Sequence, residues 1–473
     1  MDKKRGLVHP YMPNSVPKIQ REMLDEIGIS SVEEIYKSLI PDDLLFKGKL
    51  DVPPAILSEY ELKRHVNGIL EKNKTTEEYS SFLGAGCYRR QIPAICDELT
   101  MRGEFLTAYC GDTYSDHGKM QAIFEYASLM GELLDTDVVS YASYDAGQAV
   151  SSSLRMALRI KEAEGSKKTK VLMPATCNPE IFSQALSYCR HEAELVKVKA
   201  TKNGGMDLED LKKQLEKKDV AAVFVENPSY LGFFETQARE IGELAHAHDA
   251  LFIVQTEPSS LGVIESPANY GADLICGDIQ ALGMHQQFGG GQGGFIACQQ
   301  KQELLEQFPT YMYGLAETKQ KGRFGWGRAM NYRCSHGSRE KANEYFGTES
   351  GLWCINAGIY LACMGPQGMF ELGESIMQKL AFAEKVLSEV KGIKVNPFGS
   401  ANFQEFLINF DDCHMSVAEI NKALLDKKIF GGKDISSDFP EYGQSALYCI
   451  SELTEEEEIY ALRDALAEIT RKC

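Results

Sequence analysis

The residues with the most evident chemical potential in this chain lie in two segments rich in glycine and hydroxyl side chains. The first is GDIQALG at 277–283, followed by FGGGQGG at 288–294. Five glycines within six residues (Gly289, Gly290, Gly291, Gly293 and Gly294) permit positive φ and close backbone approach to a ligand or to another chain. Two readings stand: a loop beside a cofactor phosphate, or a tight bulged turn ahead of a strand at 294–298. No Walker or dinucleotide fingerprint fits, because the Lys-Ser/Thr ending and the strand–GxGxxG–helix context are absent. The second segment is SYDAGQAVSSS at 143–153, at the start of a predicted helix. A helix N-terminus rich in small and hydroxyl residues can bind an anion through its free backbone donors. Ordinary capping by Ser143 or Asp145 is the simpler reading.

The histidines offer less. His117, in YSDHGK ahead of a helix at 120–133, reads either as an acid/base group or as a solvated loop residue. His246 and His248 form an HxH at a helix end, and side chains two apart on a helix point to different faces, which makes them a poor metal pair. Cys334 and His336 have no third ligand or partner acid assignable from spacing. The 13 cysteines are scattered, odd in number and without a CxxC, which points to reduced thiols in a reducing compartment.

The elements that must hold these segments follow from hydrophobic periodicity. Residues 1–74 read as an N-terminal arm with short amphipathic helices at 19–27 and 59–72 and a helix start at Ser30-Ser31, interrupted by the prolines of DVPPA at 51–55. From 75 to 330, short apolar runs at 170–173, 195–198, 221–225, 251–254, 274–276 and 294–298 alternate with helix-length segments at 149–164, 178–191, 207–217 and 237–248. That alternation predicts an α/β domain with a mostly parallel sheet covered on both faces, with ligands beyond the carboxyl ends of the strands. Residues 331–473 read as a smaller C-terminal α+β domain: a long helix at 353–390 broken at Gly365-Pro366, strands at 403–410 and 447–450, and helices at 416–427 and 455–469.

Charge and hydropathy exclude whole classes of function. The net charge of −18, with no basic run longer than a few residues, argues against nucleic acid as a partner. No stretch approaches the ~20 apolar residues that cross a bilayer. The basic opening MDKKRG has no apolar segment behind it, so it does not read as a secretory signal. A cytoplasmic setting, with no membrane partner, is the expectation.

Ordered motifs along nearly the whole chain then fall into one pattern. EMLDEIGISSVEE (22–34), LDVPPA (50–55), FLGAGCY (82–88), EFLTAY (104–109), ENPSYLG (226–232), EPSSLG (257–262), GDIQ (277–280), LACMGPQG (361–368) and SELTEEE (451–457) are among them. The chain resembles the subunit 1 type of glycine dehydrogenase (decarboxylating), the P-protein of the glycine cleavage system. The resemblance implies a pyridoxal-phosphate (PLP) transferase fold of type I, with a large domain and a small C-terminal domain. It implies an oxidoreductase reaction in which glycine is decarboxylated and its aminomethyl group passes to a lipoyl carrier, the H-protein. It also implies a lysine-bearing partner, a subunit 2-like chain in an α2β2 assembly, that holds most of the pyridoxal 5'-phosphate.

The residues can be checked against that chemistry. A PLP enzyme needs a lysine for the aldehyde and an acid beside the pyridine nitrogen. No lysine occurs between Lys218 and Lys301, and Gln255 stands at the strand end where the acid belongs, with Glu257 two residues further on. No catalytic residue is therefore assigned to this chain. Tyr109, Tyr144 and Asp145 are expected to face the subunit boundary near the cofactor, and Gly289, Gly290 and Gly291 to shape the backbone there. Three motifs depart from the family: CGDTYSDHGK at 110–119 replaces TPYQPEISQG, Tyr144-Asp145 is followed by Ala146 instead of glycine, and ANEYFGTESG follows Arg339-Glu340-Lys341. Two other readings stay open on these departures. One is a diverged subunit acting on another amino acid, with Asp116, His117 and Glu349 as candidate contacts. The other is a non-catalytic subunit that stabilises or regulates a partner.

Overall fold

The structure is a computed structural model that describes residues 8–48, 50–106, 117–141, 143–310, 312–345 and 350–471. Two compact units divide it, Met1–Lys74 and Thr75–Cys473. Asp116, Glu349 and the proposed boundary residue Tyr109 lie outside the described residues.

The first unit carries three helices, α1 (Pro17–Ile27), α2 (Val32–Leu39) and α3 (Glu59–Leu70). Proline opens α1, where the missing donor costs nothing, and Gly28 ends it in the left-handed conformation. The Ser58 side chain caps α3 by accepting from the Glu61 N–H. None of the three helices buries a residue.

The second unit is built on a seven-stranded sheet of β1 (Val138–Val139), β2 (Lys170–Pro174), β3 (Glu194–Val198), β4 (Val220–Glu226), β5 (Leu251–Gln255), β6 (Leu274–Asp278) and β7 (Gly294–Cys298), in the order β1-β7-β6-β5-β4-β2-β3. The run from β3 to β6 is parallel, and β7 lies antiparallel to both of its neighbours, β6 and β1. All seven residues of β4 are buried, as a strand covered on both faces requires. Its alternation is the period of a strand: Ala222 and Phe224 pack under α6 (Ala146–Ala163) and α7 (Pro179–Cys189), while Val223 and Val225 pack under α8 (Leu208–Leu215) and α9 (Ala238–Ala247).

The antiparallel end of the sheet is covered by α5 (His117–Leu134) and by the long helix α10 (Gly351–Leu387), which share a cluster with Ile275, Phe295 and Cys96 of the short helix α4 (Ala94–Thr100). The expected break in α10 is present: Gly365 leaves helical geometry at φ 59° and Pro366 restarts it. A hairpin of β8 (Met312–Glu317) and β9 (Phe324–Ala329), which periodicity did not indicate, sets Trp326 against Phe124 of α5. Beyond it, β10 (Lys394–Val395), β11 (Glu405–Asn409), β12 (Lys433–Asp434) and β13 (Ser445–Cys449) form an antiparallel sheet in the order β10-β11-β13-β12. Helices α11 (Val417–Leu425) and α12 (Glu456–Thr470) cover it over a core of Phe406, Ile408 and Tyr448.

Candidate functional site

Strands β2, β4, β5 and β6 run in one direction, and beyond their carboxyl ends lies a cleft of about 150 Å³. Its floor is read directly off the strand ends. Glu226 closes β4, Gln255 closes β5 and Asp278 closes β6, and Asn178 follows β2. The apolar body of each strand is locked in the core, so the last residue is the first one free to carry a polar group toward a ligand.

Three carboxyl groups line the cleft, those of Glu226 and Glu405 buried and that of Asp278 on a half-buried residue, and each is fixed by donors from elsewhere in the chain. Glu226 accepts from the Asn178 N–H at 3.0 Å and the Tyr230 N–H at 3.1 Å. Asp278 accepts from the N–H groups of Ala146 at 3.0 Å, Gln280 at 2.8 Å and Gly293 at 3.3 Å. Glu405 accepts from the Ala85 N–H at 2.6 Å and from the Tyr88 hydroxyl at 3.0 Å. Burial pushes all three up to about 7, because desolvation of the charged form outweighs the hydrogen bonds that favour it.

The remaining wall is polar and incompletely paired. The Ser229 and Thr256 hydroxyls and the Gln255 side-chain oxygen are buried without a hydrogen-bond partner. Arg90, buried just behind the wall, donates to Glu452 at 3.0 Å and to Ser259 at 2.7 Å, and stands 3.8 Å from Glu257. No lysine, arginine or histidine is among the described residues that line the cleft.

The residues singled out in the sequence distribute as follows. Asp145 lines the cleft and caps α6, accepting from the Gln148 N–H at 2.7 Å. Tyr144 is 40% exposed, and its N–H donates to the Gln148 side chain at 2.9 Å. Gly289 takes φ +86°, and a side chain on Gly291 would collide with the His285 carbonyl, so these positions make a tight turn that only glycine fits. Gln292, just beyond them, is the loop residue that lines the cleft. His117 begins α5, and its side chain is not among those described. His246 pairs with Asp273 at 2.8 Å, and His248 bonds the Leu244 carbonyl at 2.9 Å. Glu226, Asp278, Glu405 and Tyr88 were not singled out for chemistry. The available signal was a carboxylate ending an apolar strand, present in VAAVFVE and in LICGD.

Pyridoxal phosphate does not fit this cleft. No lysine is among the described residues that line it, and Gln255 ends the strand where the resemblance expects an acid beside the pyridine nitrogen. At the N-terminus of α6, where a phosphate would seek free donors, Asp145 already takes the Gln148 N–H and Asp278 the Ala146 N–H. A phosphate placed there would face two carboxylates at close range.

Comparison with known proteins agrees along the whole chain. The model of the glycine cleavage system P-protein family matches residues 10–466. A protein of Pyrococcus horikoshii named as a probable glycine dehydrogenase (decarboxylating) subunit 1 is 38% identical over 461 residues, covering 97% of this chain and 99% of that one. The similarly named protein of Staphylothermus marinus is 35% identical, with 98% of each covered. Among solved structures, an inhibitor-bound glycine decarboxylase (P-protein) of the glycine cleavage system is similar at a TM-score of 0.84 and 27% identity, over 98% of this chain and 100% of that one. A cysteine desulfurase of Thermococcus onnurineus shares the fold alone, at a TM-score of 0.62 and 13% identity over 86% of this chain and 98% of that one. A family model that matches residues 10–466, and relatives 35–38% identical along nearly the whole chain, place the protein in the glycine cleavage system P-protein family.

Proposed function

We propose that this chain is the lysine-lacking subunit of a PLP-dependent glycine decarboxylase, acting with a lysine-bearing subunit 2-like chain in an α2β2 assembly. The observation that supports the reading is the lining of the cleft: Gln255 ends β5 there beside the carboxyls of Glu226, Asp278 and Glu405, and no lysine is among the described residues that line it. The partner chain then holds the pyridoxal phosphate, which supplies the electron sink for decarboxylation, and the aminomethyl group leaves on the lipoyl arm of an H-protein.

In this reading the chain contributes structure and surface. The reading takes Tyr144 and the turn at Gly289, Gly290 and Gly291 as surface that would meet the partner's cofactor, with Asp145 fixing the α6 terminus; Tyr109, assigned the same role, lies outside the described residues. The antiparallel sheet beyond residue 330, with its own core, supports division of the second unit into a large domain at 75–330 and a small one at 331–473, after the arm at 1–74. The assembly is placed in the cytoplasm. Among the described residues, no helix is long and apolar enough to cross a membrane.

The test is spectroscopic. Pyridoxal phosphate is added to the purified chain, to its partner and to the mixture, and the visible band of lysine-bound cofactor is recorded. The band is expected with the partner present and to respond to glycine in the mixture. A band in the isolated chain that borohydride fixes onto one of its own lysines would overturn the reading.

A further inference from the structure

We propose that the free end of the β8–β9 hairpin is a docking surface for a transiently bound acidic protein, the lipoyl carrier of the assembly proposed above. The identity of that carrier rests on the decarboxylase reading.

The first observation is a local charge opposite to that of the chain. Lys319, Lys321 and Arg323 fall within five residues of a chain whose net charge is −18. All three are exposed, and none pairs with a carboxylate among the described residues. The nearest acid, Glu317, is engaged in the turn itself, accepting the Gly322 N–H at 3.0 Å. The comparable basic stretch at 167–170 is already neutralised: Lys168 pairs with Asp249 at 2.7 Å and Lys170 with Asp219 at 2.8 Å.

The second observation is that the tip holds a defined shape. The Thr318 N–H donates to the Arg323 carbonyl at 2.7 Å, and the Arg323 N–H to the Gln320 carbonyl at 3.0 Å. The Gln320 N–H donates to the Thr318 hydroxyl at 3.2 Å, and Gly322 turns the chain at φ +77°. At the root, Trp326 packs on Phe124 with ring centres 4.8 Å apart, and Tyr313 packs on Tyr141 at 5.8 Å. Cations held on a fixed frame lose less entropy on binding than cations on a slack loop.

The third observation is an apolar anchor beside those cations. Phe324 and Leu315 share a face with Trp326, since alternate residues and cross-strand partners point the same way. Yet Phe324 is 61% exposed and Leu315 is 46% exposed. An open aromatic ring flanked by charges has the composition of an interface centre with its polar rim.

Charge and area together select the occupant. An extended polyanion, whether a nucleic acid or an anionic bilayer, would also lie against the acidic remainder of the chain, whereas a protein can meet the tip with one confined acidic face. A permanent subunit needs a large apolar contact, about 2,000 Å² or more. Two apolar side chains and three cations suit a partner that is steered in by charge and leaves after each turnover. In the proposed reaction that partner is the carrier.

The test uses the assembled two-chain enzyme and its lipoyl carrier. The triple variant Lys319→Glu, Lys321→Glu, Arg323→Glu reverses the tip and leaves the packed root alone. KM for the carrier should rise at least about tenfold, with kcat at saturating carrier within about twofold of the wild type. Added salt should raise KM steeply in the wild type and hardly at all in the triple variant. Phe324→Ser should raise KM and keep the wild-type salt dependence. The response of the cofactor's visible band to glycine, which needs no carrier, should be the same in every form. An unmoved KM or an unmoved salt profile in the triple variant would sink the proposal. So would wild-type binding to vesicles of phosphatidylcholine and phosphatidylserine that the triple variant loses. A wild type without any glycine response overturns the decarboxylase reading and the carrier with it, whereas a normal glycine response with an unmoved KM removes the hairpin alone.

Discussion

Asp278, the last residue of β6, accepts a hydrogen bond at 3.0 Å from the backbone N–H of Ala146, the first residue of α6. A carboxylate from the sheet thus satisfies a helix terminus 132 residues away in sequence. Its other oxygen takes the N–H groups of Gln280 and Gly293, so one side chain ties β6, the glycine-rich loop and α6 together.

Substituting Asp278→Asn replaces one accepting oxygen with a donating amide, which must face at least one N–H. The expected loss is about 1–3 kcal/mol of stability, the cost of an unsatisfied buried donor, read as a lowered midpoint in urea.

The three desolvated carboxyls give stability a pH dependence of defined sign. Unfolded, they titrate near 3.8 for Asp278 and 4.5 for Glu226 and Glu405; folded, each is pushed up to about 7. Between these values the folded chain retains protons that the unfolded chain has released. The contribution of these groups therefore falls as pH rises from about 4 to about 7, and is level above that. Glu405→Gln keeps an oxygen for the Ala85 N–H and offers an amide to the Tyr88 hydroxyl. Melting temperatures across that window should slope less steeply in this variant than in the wild type, and an unchanged slope would remove Glu405 from the account.

Asp145→Ala deletes the cap of α6 and leaves the Gln148 N–H without its acceptor. A loss of about 0.5–2 kcal/mol is expected by chemical denaturation, with Asp145→Ser recovering most of it.

Arg90→Met strands Glu452 and Glu257 beside a buried apolar side chain. Its guanidinium is fully buried and bonded to groups more than 160 residues away, so about 3–5 kcal/mol should be lost. Arg90→Lys should restore little, since one ammonium cannot reproduce the fork.

Thiol reactivity should follow burial. Cys363 is exposed on α10, whereas desolvation raises Cys177 far above the ordinary range and pushes Cys189, Cys276 and Cys298 up to about 12. Peptide mapping after brief alkylation of the native chain should find Cys363 labelled well before those four. Equal labelling would mean that the core opens on the timescale of the reagent.

The sheet was legible because its strands are short, apolar and separated by amphipathic helices. The expected runs at 170–173, 221–225, 251–254 and 294–298 fall within the observed strands. Periodicity carries no direction, however, so nothing in 294–298 announced that β7 runs against β6. The β8–β9 hairpin was not legible for another reason: its strands contain glycine and bury no residue fully, and the alternation that marks a half-buried strand is missing. In the site, the helix cap at Asp145 could be read locally, because a cap involves residues three apart. The carboxyl cluster could not. Glu226 and Glu405 lie 179 positions apart, and only the tertiary fold brings them into one cavity.

Gln255 ends a strand whose four preceding residues are all buried, and the side chain itself reaches the cleft. Framework and reactive rim are thus separated by a single peptide bond. Position 255 can therefore change its polar group, losing one chemistry or acquiring another, while the four buried residues that seat the strand in the sheet stay as they are.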